Sequence, residues 1–293
     1  MWHAFETRVP GKWVLAGEHS VLRGSTAVAM PHPEFGLTLR YEPGTFQLEI
    51  LPEKARPVVL ELLNSIKDDL ESKDRSFTLP SGRISVESSI PNGAGLGSSA
   101  ALCVAIARWL RESLGFADSE LFEFARSLEH RFHGRSSGMD IAVASQGCPI
   151  SFAMNRGAEA LKIKKIPNFT FHDTGLRART SDCVIKVEVF REETPFLGMK
   201  ADEAMGVAAR KAIEGLVAYD VGNTEAGLDL IAYAIKQAQE CFYTWQLVPE
   251  QGKRLEESLL RQGALACKMT GAGGGGFIVA LWPDGVRPEE IVT

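Results

Sequence analysis

The sequence predicts an α+β protein. Three observations support this. Strand-like segments crowd the first third of the chain. Helical patterns dominate the second half, and two short strands close it, so the alternation of a parallel βαβ protein is absent. The composition, 45% hydrophobic and 24% charged over 293 residues, is that of an ordinary globular chain with material for a real core. It excludes disordered, collagen-like and disulfide-framework proteins. At ~150 residues per domain the length suits two domains or one large one, and no repeat of 20–50 residues points to a solenoid.

Branched and aromatic residues between short turns predict strands at Lys12–Ala16, Ala27–Ala29, Gly36–Tyr41, Phe46–Leu51 and Arg83–Glu87. Apolar residues at helical spacing with charges between them predict an amphipathic helix over Val58–Glu71. Further helices are expected at Ser98–Leu114 and at Asp118–His133, the latter with Asp118 as N-cap. A strand follows at Gly147–Phe152. The lysines at 162, 164 and 165 read as the solvated face of a strand pair, ahead of a strand at Phe169–Thr174. Composition shifts near Pro167, which divides the chain into expected domains 1–166 and 167–293. Beyond it helices are expected at about Ser181–Glu192, Lys200–Tyr219, Asn223–Trp245 and Pro249–Gln262, with strands at Ala266–Met269 and Phe277–Trp282.

The formal net charge is −5, which argues against nucleic acid or an anionic membrane as partner and leaves a local anion site open. The five cysteines are scattered, with no C-x-x-C, as in a protein of the reducing cytoplasm. The N-terminal residues carry no signal-peptide pattern, and no apolar run approaches the ~20 residues of a membrane span.

Glycine makes up 28 of the residues and clusters in two places. Ile90-Pro-Asn-Gly-Ala-Gly-Leu-Gly-Ser-Ser-Ala-Ala101 sets Gly93, Gly95 and Gly97 before an alanine-rich helix. A loop without Cβ atoms lets backbone N–H groups approach a ligand, and a helix N-terminus behind it favours an anion, phosphate above all. The hydroxyls of Ser98 and Ser99 can add a phosphate bond or a Mg²⁺ ligand. The second cluster, Lys268-Met-Thr-Gly-Ala-Gly-Gly-Gly-Gly-Phe277, contains G-x-G-x-x-G. A strand rather than a helix follows it, so a dinucleotide fingerprint is excluded and a flap over phosphates is expected. Neither Asp-Phe-Gly nor a Walker A sequence occurs.

Gly134-Arg-Ser-Ser-Gly138 matches the G-x-S-x-G of serine hydrolases around Ser136, but the polar segment before it does not suit a nucleophile elbow. Glu129 and His133 stand four apart on a helix. With no H-E-x-x-H and no third zinc-type ligand, a hydrated Mg²⁺ on one carboxylate suits them better. Asp140, after a glycine-containing loop, reads as a general base or as a helix cap. Lys12 opens an apolar strand and is either solvated or, if it faces a phosphate loop, catalytic.

Together these residues resemble the GHMP kinase superfamily. Three segments match in order: Val9-Pro-Gly-Lys-Trp-Val-Leu-Ala-Gly-Glu-His-Ser-Val21, Ile90–Ala101 and Lys268–Gly276. Within the superfamily, Gly17–Val21, the run from Glu129 through Asp140, and Asp173-Thr-Gly175 with Thr180 resemble the mevalonate kinases. The resemblance implies an N-terminal domain like ribosomal protein S5 domain 2 and a ferredoxin-like C-terminal domain. It implies a cytoplasmic enzyme that uses ATP and Mg²⁺ to phosphorylate a primary alcohol, most simply mevalonate, in isoprenoid precursor synthesis. It implies Asp140 as base with Lys12 as its partner, and Ser99 and Glu129 on the metal. Gly93, Ala94, Gly95, Leu96, Gly97, Ser98 and Ser99, with Gly271, Gly273 and Gly274, would hold the nucleotide. Glu18, His19, Asp140 and Thr180 would lie at the acceptor. The partner is then a small-molecule alcohol, with no nucleic acid or membrane, and a homodimer is left open. A different acceptor (phosphomevalonate, homoserine or a sugar) and a non-catalytic nucleotide-binding regulator are the competing expectations.

Overall fold

The computed structural model describes residues 2–72, 77–114, 117–133 and 137–286. The chain forms two compact units. One comprises residues up to Gly11, His32–Pro91 and Gly97–Gly147; the other comprises Lys12–Pro31, Asn92–Leu96 and the chain from Cys148 onward. Strands β1 (Phe5–Ala16) and β2 (Ala27–Pro43) contribute to both.

In the first unit the C-terminal half of β2 pairs antiparallel with β4 (Gly82–Ser88), and the short β3 (Glu49–Leu51) lies parallel on the other side of β4. Helix α1 (Arg56–Glu71) has proline in its first turn, where a missing N–H costs nothing. It buries Val59, Leu62, Leu63, Ile66 and Leu70, a helical stripe. Three more helices pack on one another: α2 (Ser98–Leu114), α3 (Asp118–His133) and α4 (Met139–Gln146). Trp2, Tyr41 and Trp109 cluster in the core, with ring centroids 5.0–6.0 Å apart.

In the second unit the start of β2 pairs with β5 (Ile150–Ala153), which pairs with β6 (Gly157–Ala160). A separate antiparallel sheet has the order β7-β9-β8, from β7 (Phe169–Asp173), β8 (Ala266–Thr270) and β9 (Phe277–Leu281). Four helices accompany it: α5 (Thr180–Glu193), α6 (Pro195–Asp220), α7 (Thr224–Thr244) and α8 (Glu250–Arg261). Helices α6 and α7 form a hairpin with an alanine- and glycine-rich seam. Trp13 packs edge-on against Phe169 and Phe171 of β7.

Helices α2 and α3 span the segments expected, but several other expectations are corrected. Ala27–Ala29 and Gly36–Tyr41 belong to one strand, β2. Its prolines, Pro31 and Pro33, fall between the stretch paired with β5 and the stretch paired with β4, where no ladder to either needs their N–H. Phe46 lies outside β3 and is exposed. Lys162, Lys164 and Lys165 lie beyond β6 in irregular chain, where Asp220 Oδ1 accepts the N–H groups of Lys164 and Lys165 at 2.8 Å. Asp118 is the first residue of α3 rather than its cap. The N–H of Ala117 is instead taken by Glu120 Oε2 at 2.8 Å, one half of a capping box. Helix α4 was not among the expected helices, and only the reading of Asp140 as a cap pointed to it. It buries five of its eight residues and has no polar stripe, so its period is invisible in the sequence. Among the described residues, no helix is long and apolar enough to cross a membrane.

Candidate active site

The second unit brings together all or part of each of the three matched segments. Lys12 is buried within β1, not solvated, and its N–H donates to the Leu96 carbonyl at 2.9 Å, which ties it to the first glycine loop. Two residues on one face of β8 hold the next residues of β1. Thr270 Oγ1 accepts the Val14 N–H at 2.9 Å and donates to the Val14 carbonyl at 3.1 Å. Lys268 Nζ donates to that same carbonyl at 3.1 Å. Residues i and i+2 of a strand share a face, so these side chains act in place of a backbone ladder.

Lys268 also meets Glu18 Oε1 at 2.5 Å, and both are almost fully buried. Burial raises the Glu18 carboxyl and lowers the Lys268 amine, against their mutual attraction. The positive charge of Lys12 acts on both members of the pair. His19, at φ 58°, has its Nε2 2.9 Å from the Ala272 carbonyl. A carbonyl only accepts, so this nitrogen carries the proton. Burial pushes the imidazole down to about 4, so the ring is neutral, packed against Trp245 and Phe242. Of the residues expected at the acceptor, Glu18 bonds Lys268 through Oε1 while its buried Oε2 has no partner among the described residues, and His19 bonds the third segment through Nε2. Thr180 is exposed as the first residue of α5.

The two glycine loops touch. A Cβ on Gly271 would lie 3.2 Å from the Gly95 carbonyl oxygen, and one on Gly276 would lie 2.6 Å from that of Ala94. Gly93 and Gly95 have φ of 69° and 76°, a region only glycine enters freely. Among the described residues, no protein group accepts an N–H of Gly93, Ala94, Gly95, Leu96 or Gly97. The later loop differs. Gly274 donates to Leu247 O at 2.7 Å and Gly276 to Leu176 O at 2.8 Å. The carbonyls of Ala272, Gly273 and Gly276 accept from His19, Cys183 and Thr174. The expected free flap is thus a pinned loop, and Gly274 has no N–H to offer a phosphate.

The first unit carries the other expected groups. Ser98 and Ser99 open α2 directly after the first loop. Glu129 on α3 is buried, and its charge reaches the thiol of Cys103, which burial and Glu129 together hold well above its usual range. Cys103 and Ser99 stand one turn apart on α2, so Glu129 faces the side of α2 that presents Ser99. No group of three or more His, Cys, Asp or Glu among the described residues could hold a metal. One hydroxyl and one carboxylate are hard oxygen donors that fit Mg²⁺, which takes its remaining ligands from water and phosphate. Asp140 lies in the first turn of α4, whose N-cap is Gly138, so Asp140 is not the cap. Gly134 and Ser136 lie outside the described residues, as does the side chain of His133. What precedes them is helix α3, whereas a nucleophile elbow needs a strand.

Two residues that matter were missed by sequence reasoning, Lys268 and Thr270. Their only signal was polar side chains inside a fully buried strand.

Residues 58–148 match the family model for the GHMP kinases N terminal domain, and residues 225–293 that for the GHMP kinases C terminal domain. The chain is 31% identical to a mevalonate kinase of Aeropyrum pernix, over 97% of this chain and 90% of that protein. It is also 31% identical to a mevalonate kinase of Archaeoglobus fulgidus, over 96% and 93%. Its fold superposes on the crystal structure of L. major mevalonate kinase in complex with R-mevalonate with a TM-score of 0.78, at 21% identity, over 96% of this chain and 88% of that one. The two family models, the fold and the relatives agree: the chain belongs to the GHMP kinases and is an ATP-dependent phosphotransferase.

Proposed function

We propose that the enzyme transfers the γ-phosphate of ATP to the primary alcohol of mevalonate, giving 5-phosphomevalonate for isoprenoid precursors. The observation that carries the ATP site is the row of unaccepted N–H groups from Gly93 to Gly97, running into the N-terminus of α2. The choice of acceptor is supported by the mevalonate kinases at 31% identity. The reading includes a cytoplasmic enzyme divided near Pro167.

Phosphoryl transfer passes through a loose, highly charged transition state, so catalysis is mostly positioning and electrostatics. In this reading the N–H groups of Gly93–Gly97, with the Ser98 hydroxyl, bind the phosphates. Ser99 and Glu129 would hold Mg²⁺, which when bound would neutralise phosphate charge. Asp140 takes the proton of the acceptor hydroxyl as its oxygen bonds to phosphorus and ADP leaves. Lys12 steadies the negative charge growing on that oxygen. Its burial strengthens this effect, because less water screens the ammonium. Glu18 and His19, besides their bonds to Lys268 and Ala272, line the acceptor's site with Thr180. Gly271 shapes the wall beside Gly95, and Gly273 is packed against Leu247 and Phe242.

The test is ADP release against mevalonate, phosphomevalonate, homoserine and galactose, with Asp140→Asn and Lys12→Met alongside. Mevalonate should give the largest kcat/KM. A tenfold preference for another acceptor, about 1.4 kcal/mol of transition-state binding, rejects the substrate and leaves the kinase. Each substitution should cut kcat by ~10²–10⁴ with ATP affinity within a few-fold. The double variant should be little worse than either single, because the two groups act as one unit. Normal turnover in Asp140→Asn would remove it from the chemistry.

A further inference from the structure

We propose that Arg177 grips the phosphate chain of the nucleotide through a free side of its guanidinium, as a cationic fork beside the first glycine loop. The inference rests on the reading of Gly93–Gly97 as the phosphate site.

Arg177 is held in one orientation. Its Nη1 donates to Asp173 Oδ1 and its Nη2 to Asp173 Oδ2, both at 2.7 Å, and Nη1 donates again to the Leu176 carbonyl at 2.9 Å. A guanidinium has five N–H donors in a fixed plane. Three are used here. The two left, on Nε and the outer side of Nη2, lie side by side on one edge and form a second fork of the spacing that matches two oxygens of a phosphate. The side chain is about a third exposed, 36%, so the fork is backed by protein and open to a ligand.

The turn that presents it is braced. Asp173 Oδ1 also accepts the Gly175 N–H at 2.9 Å. Thr174 donates to the Gly276 carbonyl from both its N–H and its hydroxyl, at 2.9 and 2.8 Å, and the Leu176 carbonyl accepts the Gly276 N–H at 2.8 Å. Gly276 in turn lies against Ala94, so the turn is stacked through the third segment onto the first loop. The position of Arg177 follows from this stacking. The nearest atom to a Cβ built on Gly93 is Arg177 Cδ, at 3.9 Å. The fork therefore stands next to the row of unaccepted N–H groups. Those donors are neutral dipoles, and a fixed guanidinium beside them adds a full charge for the triphosphate to meet. Asp173 lowers the net charge of the turn, but it aims the fork and removes the cost of ordering a long side chain on binding.

The test is calorimetric titration of ATP, ADP and adenosine into wild type, Arg177→Gln and Arg177→Lys without acceptor, so that no turnover enters, with acceptor KM measured separately at saturating ATP. Arg177→Gln should weaken ATP and ADP by about tenfold or more, leave adenosine unchanged, and leave the ligand-free melting temperature within about 2 °C. Arg177→Lys should recover only part of the affinity, because an ammonium has the charge without the fork. Wild-type ATP affinity in both variants overturns the proposal and leaves the kinase reading standing. So does a raised acceptor KM with unchanged ATP affinity, which would hand the fork to the acceptor's own anionic group. A wild-type protein that binds no ATP overturns both. If Arg177→Gln does not fold, Arg177→Lys decides alone: full affinity there rejects the fork.

Discussion

The two glycine loops are alike in composition and opposite in use. In the first, glycine leaves room: a Cβ on Gly93 or Gly95 would find its nearest neighbour 3.9 or 3.6 Å away, and the N–H groups have no acceptor among the described residues. In the later one, glycine removes room. A Cβ on Gly273 would sit 2.8 Å from Leu247 Cβ and one on Gly276 2.6 Å from the Ala94 carbonyl, and the amides of Gly274 and Gly276 and the carbonyls of Ala272, Gly273 and Gly276 are bonded to surrounding chain. Both have positive φ at these residues. Glycine richness thus marks a conformation, while the destination of the N–H groups decides whether the loop binds a ligand or binds the protein itself.

Substitution separates the two uses, and the largest effect is expected in the later loop. Gly276→Val should prevent folding or lower stability by more than ~4 kcal/mol, the range of severe single substitutions, because backbone blocks the new side chain and φ is unfavourable as well. A melting temperature near wild type would show that this loop is not packed as described. Next is the anchor of that loop's leading strand. Lys268→Met leaves the buried Glu18 without its partner and should cost ~3–5 kcal/mol, with much of the loss regained in Lys268→Met/Glu18→Gln. Denaturant titration of the two variants checks the order, and equal loss in both would mean that the pair contributes nothing as a pair.

In the first loop the effect moves from folding to binding. Gly95→Val has space for its side chain beside Gly271 but a strained φ, so ~1–2 kcal/mol of stability should go. ATP affinity should fall by about tenfold or more, since bulk is added where phosphates approach. Unaltered ATP affinity in a folded Gly95→Val protein would take this loop out of the phosphate site. The smallest effect concerns His19, which pins the later loop at Ala272. Its folded pKa of about 4 lies below the ordinary 6.5, so between these values the unfolded chain binds more protons. Stability then falls as pH drops through that window, and is fully present above it. From pH 7.5 to 5.5 the wild type should lose ~1 kcal/mol more than His19→Gln, whose amide does not titrate. Parallel pH profiles would mean that His19 titrates normally.

The sequence by itself determined the elements whose pattern is local. Helix α3 carries a 3.6-residue stripe, α2 is a long alanine-rich run opened by two serines, and the short strands β8 and β9 flank glycine, so each could be read from its own neighbours. The open conformation of the first glycine loop was legible for the same reason, since glycine spacing and the serines that follow act within a dozen residues. Helix α4 escaped because every side could be buried, and β2 was split by prolines that fall where no ladder to β4 or β5 is needed. Only the tertiary structure decided the pairings across long separations. Glu18 meets Lys268 250 residues away, His19 meets Ala272 253 residues away, and Val14 meets Thr270 256 residues away. Which glycine loop is pinned to surrounding chain was decided in the same way. A residue type states which bonds it can make, but folding chooses the partner, because burial compels each polar group to find one wherever the chain brings it.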